Sequence, residues 1–401
     1  MPAKARHSNG GKGGGGGGGG KRPSSASKKS TAEAEFEQFL TELSKRTQHV
    51  GEERAERAAR EEKTREINRQ KTVEAVEEPQ TKEPDFDFSK ARTDARIQQL
   101  LEALLATTSP FGKAPVTTFN RETHTTNPNF DVAVGDMQGW RTHMEDAHFV
   151  DLEFGSGAAS RVALFGVFDG HSGVSAARSC RAEFPAAVLR AATPAGEQHH
   201  TIDFERAFLE VDEKLQVALA SVGSGCTAVI VYVSPEEITC AWVGDSRAVL
   251  CRGGEAMDLS HDHKPVEEAE KARIEAAGGF VRENRVNGQL AMSRAMGDFS
   301  YKTDKNLPVS KQLVVPVPDV ITTKRSSDED TYVVLACDGI FDVLSNAELI
   351  EFINSKKASG MSNVDICHAV CNRCLAPSLP EGGPAMAAGT DNMTVMIVDL
   401  K

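Results

Sequence analysis

The run of elements in this 401-residue chain predicts an α+β fold in which two packed sheets carry helices on their outer sides. Two observations predict it. From about Phe130 onward, short β-rich runs alternate with helical ones, and strands cluster with strands while helices come in pairs, unlike the strict βαβα alternation of a doubly wound sheet. The strand runs are broken by Gly and by Pro/Glu pairs, which provide tight turns.

The strand-like stretches are DVAVGDMQG, DAHFVDLEF, RVALFGVFD, CTAVIVYV, ITCAWVGD, RAVLCRGG, TYVVLACDG and the closing NMTVMIVDL. Helices are expected from about Ser172 to Ala192, from Phe204 to Ser221, and as a pair from about Asn346 to Leu375. PVEEAEKARIEAAGG reads as one helix with Pro265 in its first turn and Gly278 at its end. Asn287-Gly288 is a hairpin turn signal.

Ahead of this body, residues 1–30 form a basic, Gly-rich tail with too little apolar surface to order itself. Residues 31–129 read as a helical and linker extension. Ser30 and Glu33 have capping-box spacing before Phe36, Phe39, Leu40 and Leu43, and Ile97, Leu100, Leu101 and Leu104 mark a short amphipathic helix. The polar stretch between them reads as a solvated helix, with a partner-binding arm as the competing reading.

With 39% hydrophobic and 26% charged residues, the chain can bury one large core or two modest ones. No run approaches the roughly 18 apolar residues of a membrane span, and the start lacks the apolar region of a signal peptide. An intracellular monomer is expected, cytoplasmic first and nuclear second, with no membrane partner. Eight scattered cysteines read as reduced thiols. The net charge is −12, and setting aside the seven Lys/Arg of residues 1–30 leaves −19 on the rest. Such an acidic body excludes nucleic acid as the main partner and fits metal ligation or basic partners.

The chemistry is concentrated at strand ends. Asp169, Asp245, Asp338 and Asp391 stand where strands enter or leave the core, and Glu145 and Asp146 precede another strand. An Asp beside Gly is ordinarily a turn or cap residue, but so many at one kind of position suggest a shared rim. Carboxylates gathered there repel one another unless cations sit between them. Oxygen ligands without Cys or paired His point to Mg²⁺ or Mn²⁺ over Zn²⁺, and two such ions suit phosphoryl transfer to water. Asp169 is then a metal ligand, Gly170 offers its carbonyl, His171 is placed to protonate a leaving alkoxide, and Arg141 can hold phosphate oxygens.

The ordered set RTHMEDA, FGVFDGHSG, SGCTAV, VGDSRAVL, DHKP, RVNGQLAMSRAMGD, LACDGIFDVL and GTDNMTV resembles the metal-dependent protein serine/threonine phosphatases of type 2C, over roughly residues 130–400. The resemblance implies a central β-sandwich of mainly antiparallel sheets flanked by helix pairs. It makes residues 130–401 a catalytic domain with a substrate-selecting flap near 264–286. It also implies hydrolysis of phosphoserine and phosphothreonine in proteins by a metal-bridged hydroxide attacking in line.

Carried over, Asp169 bridges two Mg²⁺ or Mn²⁺ ions, Glu145 and the Gly170 carbonyl bind one, and Asp338 and Asp391 bind the other. Asp146 orients water, Arg141 binds the substrate phosphate and His171 is the general acid, while Asp245, with Asp342 beside it, serves a weaker third metal position. Cys226 and Phe341 depart from the family's usual Ser and Trp without removing a ligand. The competing readings are a phosphatase-fold regulatory module with little turnover and a hydrolase of small phosphate esters.

Other motif hits fail on context. Cys367 to Arg373 matches the C-x5-R of cysteine phosphatases, but the pattern there is helical, with Cys367, Cys371 and Cys374 on one apolar face. Asp85-Phe-Asp87 lacks the buried strand that an aspartyl-phosphate site needs, and Gly223 to Ala228 leads into a strand where a pyrophosphate-binding loop leads into a helix. His199-His200 reads as part of a polar loop.

Overall fold

The computed structural model describes residues 110–401 apart from 126, 156–160, 197–198, 221 and 380–387. The tail, the helices expected near residues 31–43 and 97–104, and Asp85-Phe-Asp87 lie outside the described residues.

Among the described residues, eleven strands form the two main sheets: β1 (Phe111–His124), β2 (Phe130–Arg141), β3 (Ala147–Asp151), β4 (Ala163–Phe168), β5 (Ala228–Val233), β6 (Glu237–Val243), β7 (Arg247–Arg252), β8 (Glu255–Asp258), β9 (Asp319–Lys324), β10 (Asp330–Ala336) and β11 (Met393–Leu400). One sheet has the order β1-β2-β11-β10-β7-β8 and the other β9-β6-β5-β4-β3, and all of these pairings are antiparallel. A smaller hairpin pairs Ala192–Gly196 with His199–Ile202.

The period-2 alternation of strands places side chains on opposite faces. In β5, Val229, Val231 and Val233 face the space between the sheets, where they join Val132, Phe165, Trp242, Leu250, Leu335 and Met396. The intervening Ala228, Ile230 and Tyr232 face α1 (Ser175–Ala191) and α2 (Phe204–Leu219), packing with Phe184, Phe208 and Leu215. On the far side, Met137, Val334 and Ile397 pack beneath α5 (Asn346–Ala358) and α6 (Asn363–Cys374) through Leu349, Ile353 and Val370. Three apolar layers therefore separate four layers of structure, α-β-β-α. Residues such as Phe165 and Val231, wholly buried between sheets, contribute about 1.5–3 kcal/mol each by leaving water.

Local signals account for several boundaries. Ser345 caps α5 with Glu348 reciprocating, and Ser362 caps α6. Asn287 and Gly288 both have positive φ and close a tight turn through Gln289 N–H to the Val286 carbonyl, as expected.

Three expectations need adjusting. The helix read from Pro265 begins only at Glu268, as α3 (Glu268–Ala276), with Pro265 left in the preceding turn. The boundary drawn at residue 130 falls inside the first sheet, because β1 precedes it. Its segment FGKAPVTTFNRETH is mostly exposed and lacks the apolar texture used to place the boundary, as an edge strand with a solvated face does. His199 and His200 belong to the small hairpin, where the backbone N–H of His200 donates to Tyr232 Oη at 2.8 Å.

Candidate active site

One end of the sandwich collects the chemistry. There β2 ends at Arg141, β4 at Phe168, β6 at Val243 and β10 at Ala336, while β3, β7 and β11 begin. Antiparallel pairing makes strand ends and neighbouring starts coincide: Ala147 faces Phe168, Met393 faces Met137 and Ala336 faces Val395. Side chains far apart in sequence thus share one rim around a cleft of roughly 310 Å³. Arg141, Glu145, Asp169, Gly170, His171, Asp245, Asp338 and Asp391 all line it, together with Ala291 and Met292. Asp146 is not part of the lining; it stands behind, accepting from Thr394 Oγ1 at 2.7 Å. Asp342 also lies outside the lining.

The carboxylates crowd one another. Lost hydration and the charges of Asp338, Asp146, Asp391 and Asp245 push the Asp169 carboxyl well above the usual range. Asp338 is raised likewise by lost hydration and then by Asp245 and Asp391. Lost hydration lifts Asp146 to about 7, outweighing the Thr394 hydrogen bond and aided by the charge of Asp391. Oδ1 atoms of Asp146, Asp245 and Asp338 are shielded from solvent with no hydrogen-bond partner among the described residues. Oxygens of Asp146 and Asp169 lie with Cys337 Sγ inside a 4.8 Å group. Such oxygens fit hard divalent cations, which supply the missing partner and the missing charge.

Several cleft residues are already engaged. Arg141 Nη2 pairs with Asp391 Oδ2, while its Nε has no partner among the described residues. Asp245 Oδ2 pairs with Lys264 Nζ, whose ammonium is stabilised by Asp245 and Asp262 beyond what burial costs it. Asp245, expected at a third metal position, therefore already has a cation of the chain's own beside it.

His171 Nε2 lies 2.7 Å from Asp298 Oδ2. Burial alone would lower the imidazole pKa, but the Asp298 hydrogen bond and charge outweigh it and raise it. The cysteine-phosphatase motif is α-helical: Cys367, Cys371 and Cys374 are buried in α6, and burial raises their thiols, Cys367 and Cys374 to about 12. No thiolate is offered there.

The family model for protein phosphatase 2C matches residues 130–379. This chain belongs to the protein phosphatase 2C family. A probable protein phosphatase 2C of Caenorhabditis elegans is 42% identical over 276 residues, covering 68% of this chain and 75% of that one. Protein phosphatase 2C homolog 2 of Schizosaccharomyces pombe is 42% identical over 270 residues, covering 66% and 71%. Among solved structures, a phosphatase from Toxoplasma gondii superposes with a TM-score of 0.58 at 23% identity, over 71% of this chain and 96% of that one, a likeness of fold. The chain is thus a metal-dependent protein serine/threonine phosphatase, and the expected α+β sandwich is the observed one.

Sequence reasoning passed over the residues that hold this type 2C site in shape. Asn392 accepts from the Glu145 N–H at 2.9 Å and donates to the Gln138 and His143 carbonyls at 2.8 and 3.0 Å. Thr227 Oγ1 accepts from the Asp169 N–H at 3.0 Å. The Gly173 N–H donates to Glu145 Oε1 at 3.0 Å. Gly170 is required for a reason unrelated to its carbonyl: a Cβ there would meet the Glu145 carbonyl oxygen at 2.3 Å. Asn392 was signalled by its place beside Asp391, and Thr227 and Gly173 only by lying within SGCTAV and FGVFDGHSG.

Proposed function

We propose that the cleft hydrolyses phosphoserine and phosphothreonine in proteins with two Mg²⁺ or Mn²⁺ ions. The observation that carries this is the convergence of Glu145, Asp169, Asp338 and Asp391 on one cleft that also holds Arg141 and His171. Asp169, placed among the other carboxylates, would bridge the ions; Glu145 with the Gly170 carbonyl would hold one, and Asp338 with Asp391 the other. When bound, the ions supply Lewis-acid activation of water and neutralise phosphate charge.

The chain's own groups do the rest. Arg141 turns from Asp391 to the substrate phosphate, presenting its fork of donors, of which Nε is unpartnered among the described residues. Asp146, held by Thr394, orients attacking water from behind the cleft. His171 delivers a proton to the departing seryl or threonyl oxygen. Ala291 and Met292 give the cleft an apolar wall against which the substrate backbone can lie. Asp245, with Asp342, would serve a weaker third metal position, for which a cation must displace Lys264. The substrate is a phosphoprotein met by a monomeric, intracellular enzyme, with residues 264–286 as the flap that selects it. No helix among the described residues is long and apolar enough to cross a membrane.

The deciding experiment is phosphate release from a phosphothreonine peptide by metal-stripped protein, with and without millimolar Mn²⁺ or Mg²⁺. Turnover only with metal is expected. Folded protein that stays inert with either ion would favour a regulatory binding module.

A further inference from the structure

Three short chain segments meet beside the cleft as a miniature sheet. Gly170–His171 pairs with Gly225–Cys226, which pairs with Met296–Gly297. The residue after this last segment is Asp298, only 3% exposed, with a left-handed backbone (φ 52°) and its carboxylate on His171 Nε2. A buried carboxylate in a backbone conformation that costs a non-glycine residue energy persists only where its surroundings hold it.

Those surroundings are unusually complete. The Asp298 N–H donates to the Ser224 carbonyl at 3.2 Å. Next to it, the Gly297 N–H donates to Asp212 Oδ1 at 2.8 Å. Lys302 Nζ reaches both Asp212 oxygens at 2.8 and 2.9 Å and the Ala295 carbonyl at 3.0 Å, so a buried ion pair to α2 clamps the segment on either side of Asp298. Gly225 leaves the contact room: a Cβ there would lie 2.2 Å from Asp298 Oδ2 and 2.5 Å from His171 Nε2. His171 Nδ1, the other ring nitrogen, has no hydrogen-bond partner among the described residues.

We propose that Asp298 is the positioning residue of the general acid, holding the Nε2–H of His171 so that Nδ1 is the nitrogen that delivers the proton. The inference rests on the acid role given to His171 above. As the P–O bond to the substrate oxygen breaks, its electron pair stays on that oxygen, and the Nδ1 proton moves to it to give the alcohol. The imidazolium becomes a neutral imidazole whose remaining proton stays on Nε2, in the hydrogen bond to Asp298. The role is analogous to that of the carboxylate that fixes a histidine tautomer in hydrolase triads, here applied to an acid.

The test compares Asp298→Ala, Asp298→Asn and His171→Gln on a phosphothreonine peptide and on 4-nitrophenyl phosphate, whose leaving group departs without protonation. Asp298→Ala is expected to lower kcat on the peptide by about 100-fold, with KM changed by less than about 2-fold and the aryl ester little affected. Asp298→Asn, which retains an acceptor oxygen without the charge, should recover part of the loss. In a His171→Gln background, Asp298→Ala should cost nothing more.

Equal loss on both substrates, or additive losses in the double variant, would overturn the proposal. If His171→Gln itself affects both substrates equally, the acid role fails and takes the proposal with it. A selective His171→Gln beside an unselective Asp298→Ala removes the proposal alone. Should Asp298→Ala not fold, long-range ¹H–¹⁵N spectra of the native protein decide: the neutral imidazole of His171 must carry its proton on Nε2, and a proton on Nδ1 overturns the assignment.

Discussion

Asn392 and Glu145, 247 positions apart in the chain, are joined by a hydrogen bond from the Glu145 N–H to Asn392 Oδ1 at 2.9 Å. The same amide donates to the carbonyls of Gln138 and His143, so one buried side chain sets where the loop after β2 stands against the start of β11. Groups that orient metal ligands without touching the metal typically change affinity or activity 10–100-fold when removed. Asn392→Ala is therefore expected to weaken Mn²⁺ binding by about that factor while the protein still folds. Calorimetric titration with Mn²⁺ checks it, and unchanged affinity would show that Glu145 needs no such brace.

Asp338, proposed above as a metal ligand, would then be a case of stability given up for function. Its carboxyl is raised by lost hydration and by the charges of Asp245, Asp391 and Asp342, so in metal-free protein it works against the fold. Asp338→Asn should raise the metal-free melting temperature by several degrees, corresponding to about 1–2 kcal/mol, while phosphatase activity falls by at least about 100-fold as a ligand is lost. Thermal melts and turnover on the same preparation test both halves. Full activity at saturating Mn²⁺ would remove Asp338 from the ligand set.

The pH dependence of the metal-free protein follows from the same crowding. Asp146 is lifted to about 7 from an ordinary 3.8, and Asp169 and Asp338 are raised too. A carboxyl with a raised folded pKa binds its proton more tightly in the folded state, so stability falls as pH rises from its unfolded value through its folded one. The metal-stripped protein should melt at a lower temperature at pH 8 than at pH 5.5. Mn²⁺ at 100 times its dissociation constant should restore about 2.7 kcal/mol at the higher pH. Melting curves at both pH values, with and without Mn²⁺, provide the check.

What could be read in the sequence divides along physical lines. β4, β5 and β10 were legible because strands buried on both faces are nearly continuous apolar runs, and the rim carboxylates were legible because they interrupt such runs. β1 was not, since an edge strand with Lys113, Arg121 and Glu122 along it carries no apolar run. Asp298 stood in plain view after Met296-Gly297, but its meeting with His171 depends on two pairings among three two-residue segments that no periodicity announces. The pairing of Lys264 with Asp245 likewise needs the flap folded back onto the rim.

The flap has its own buried ion network, which sets an acid limit. Glu270 accepts from Arg273 at 2.6 Å and from Arg294 at 2.9 and 3.1 Å, and Arg294 also reaches Asp319 at 2.6 Å. Burial would raise the Glu270 carboxyl, but the Arg294 hydrogen bond and the Arg273 charge outweigh it and hold it at about 2, below the ordinary 4.5. A depressed carboxyl contributes stability that is fully present above its unfolded pKa and is lost as pH falls through the folded one. The flap should therefore loosen between about pH 4.5 and pH 2. Glu270→Gln should loosen it at neutral pH, at a cost of ~3 kcal/mol from leaving Arg273 without its carboxylate, while Arg294 keeps Asp319. Hydrogen exchange of the amides of α3 and of Val281–Val286, compared with that of β5, reports the flap separately from the sandwich. Loss of protection confined to the flap is expected in the variant, whereas uniform loss or none would show that the network does not hold the flap in place.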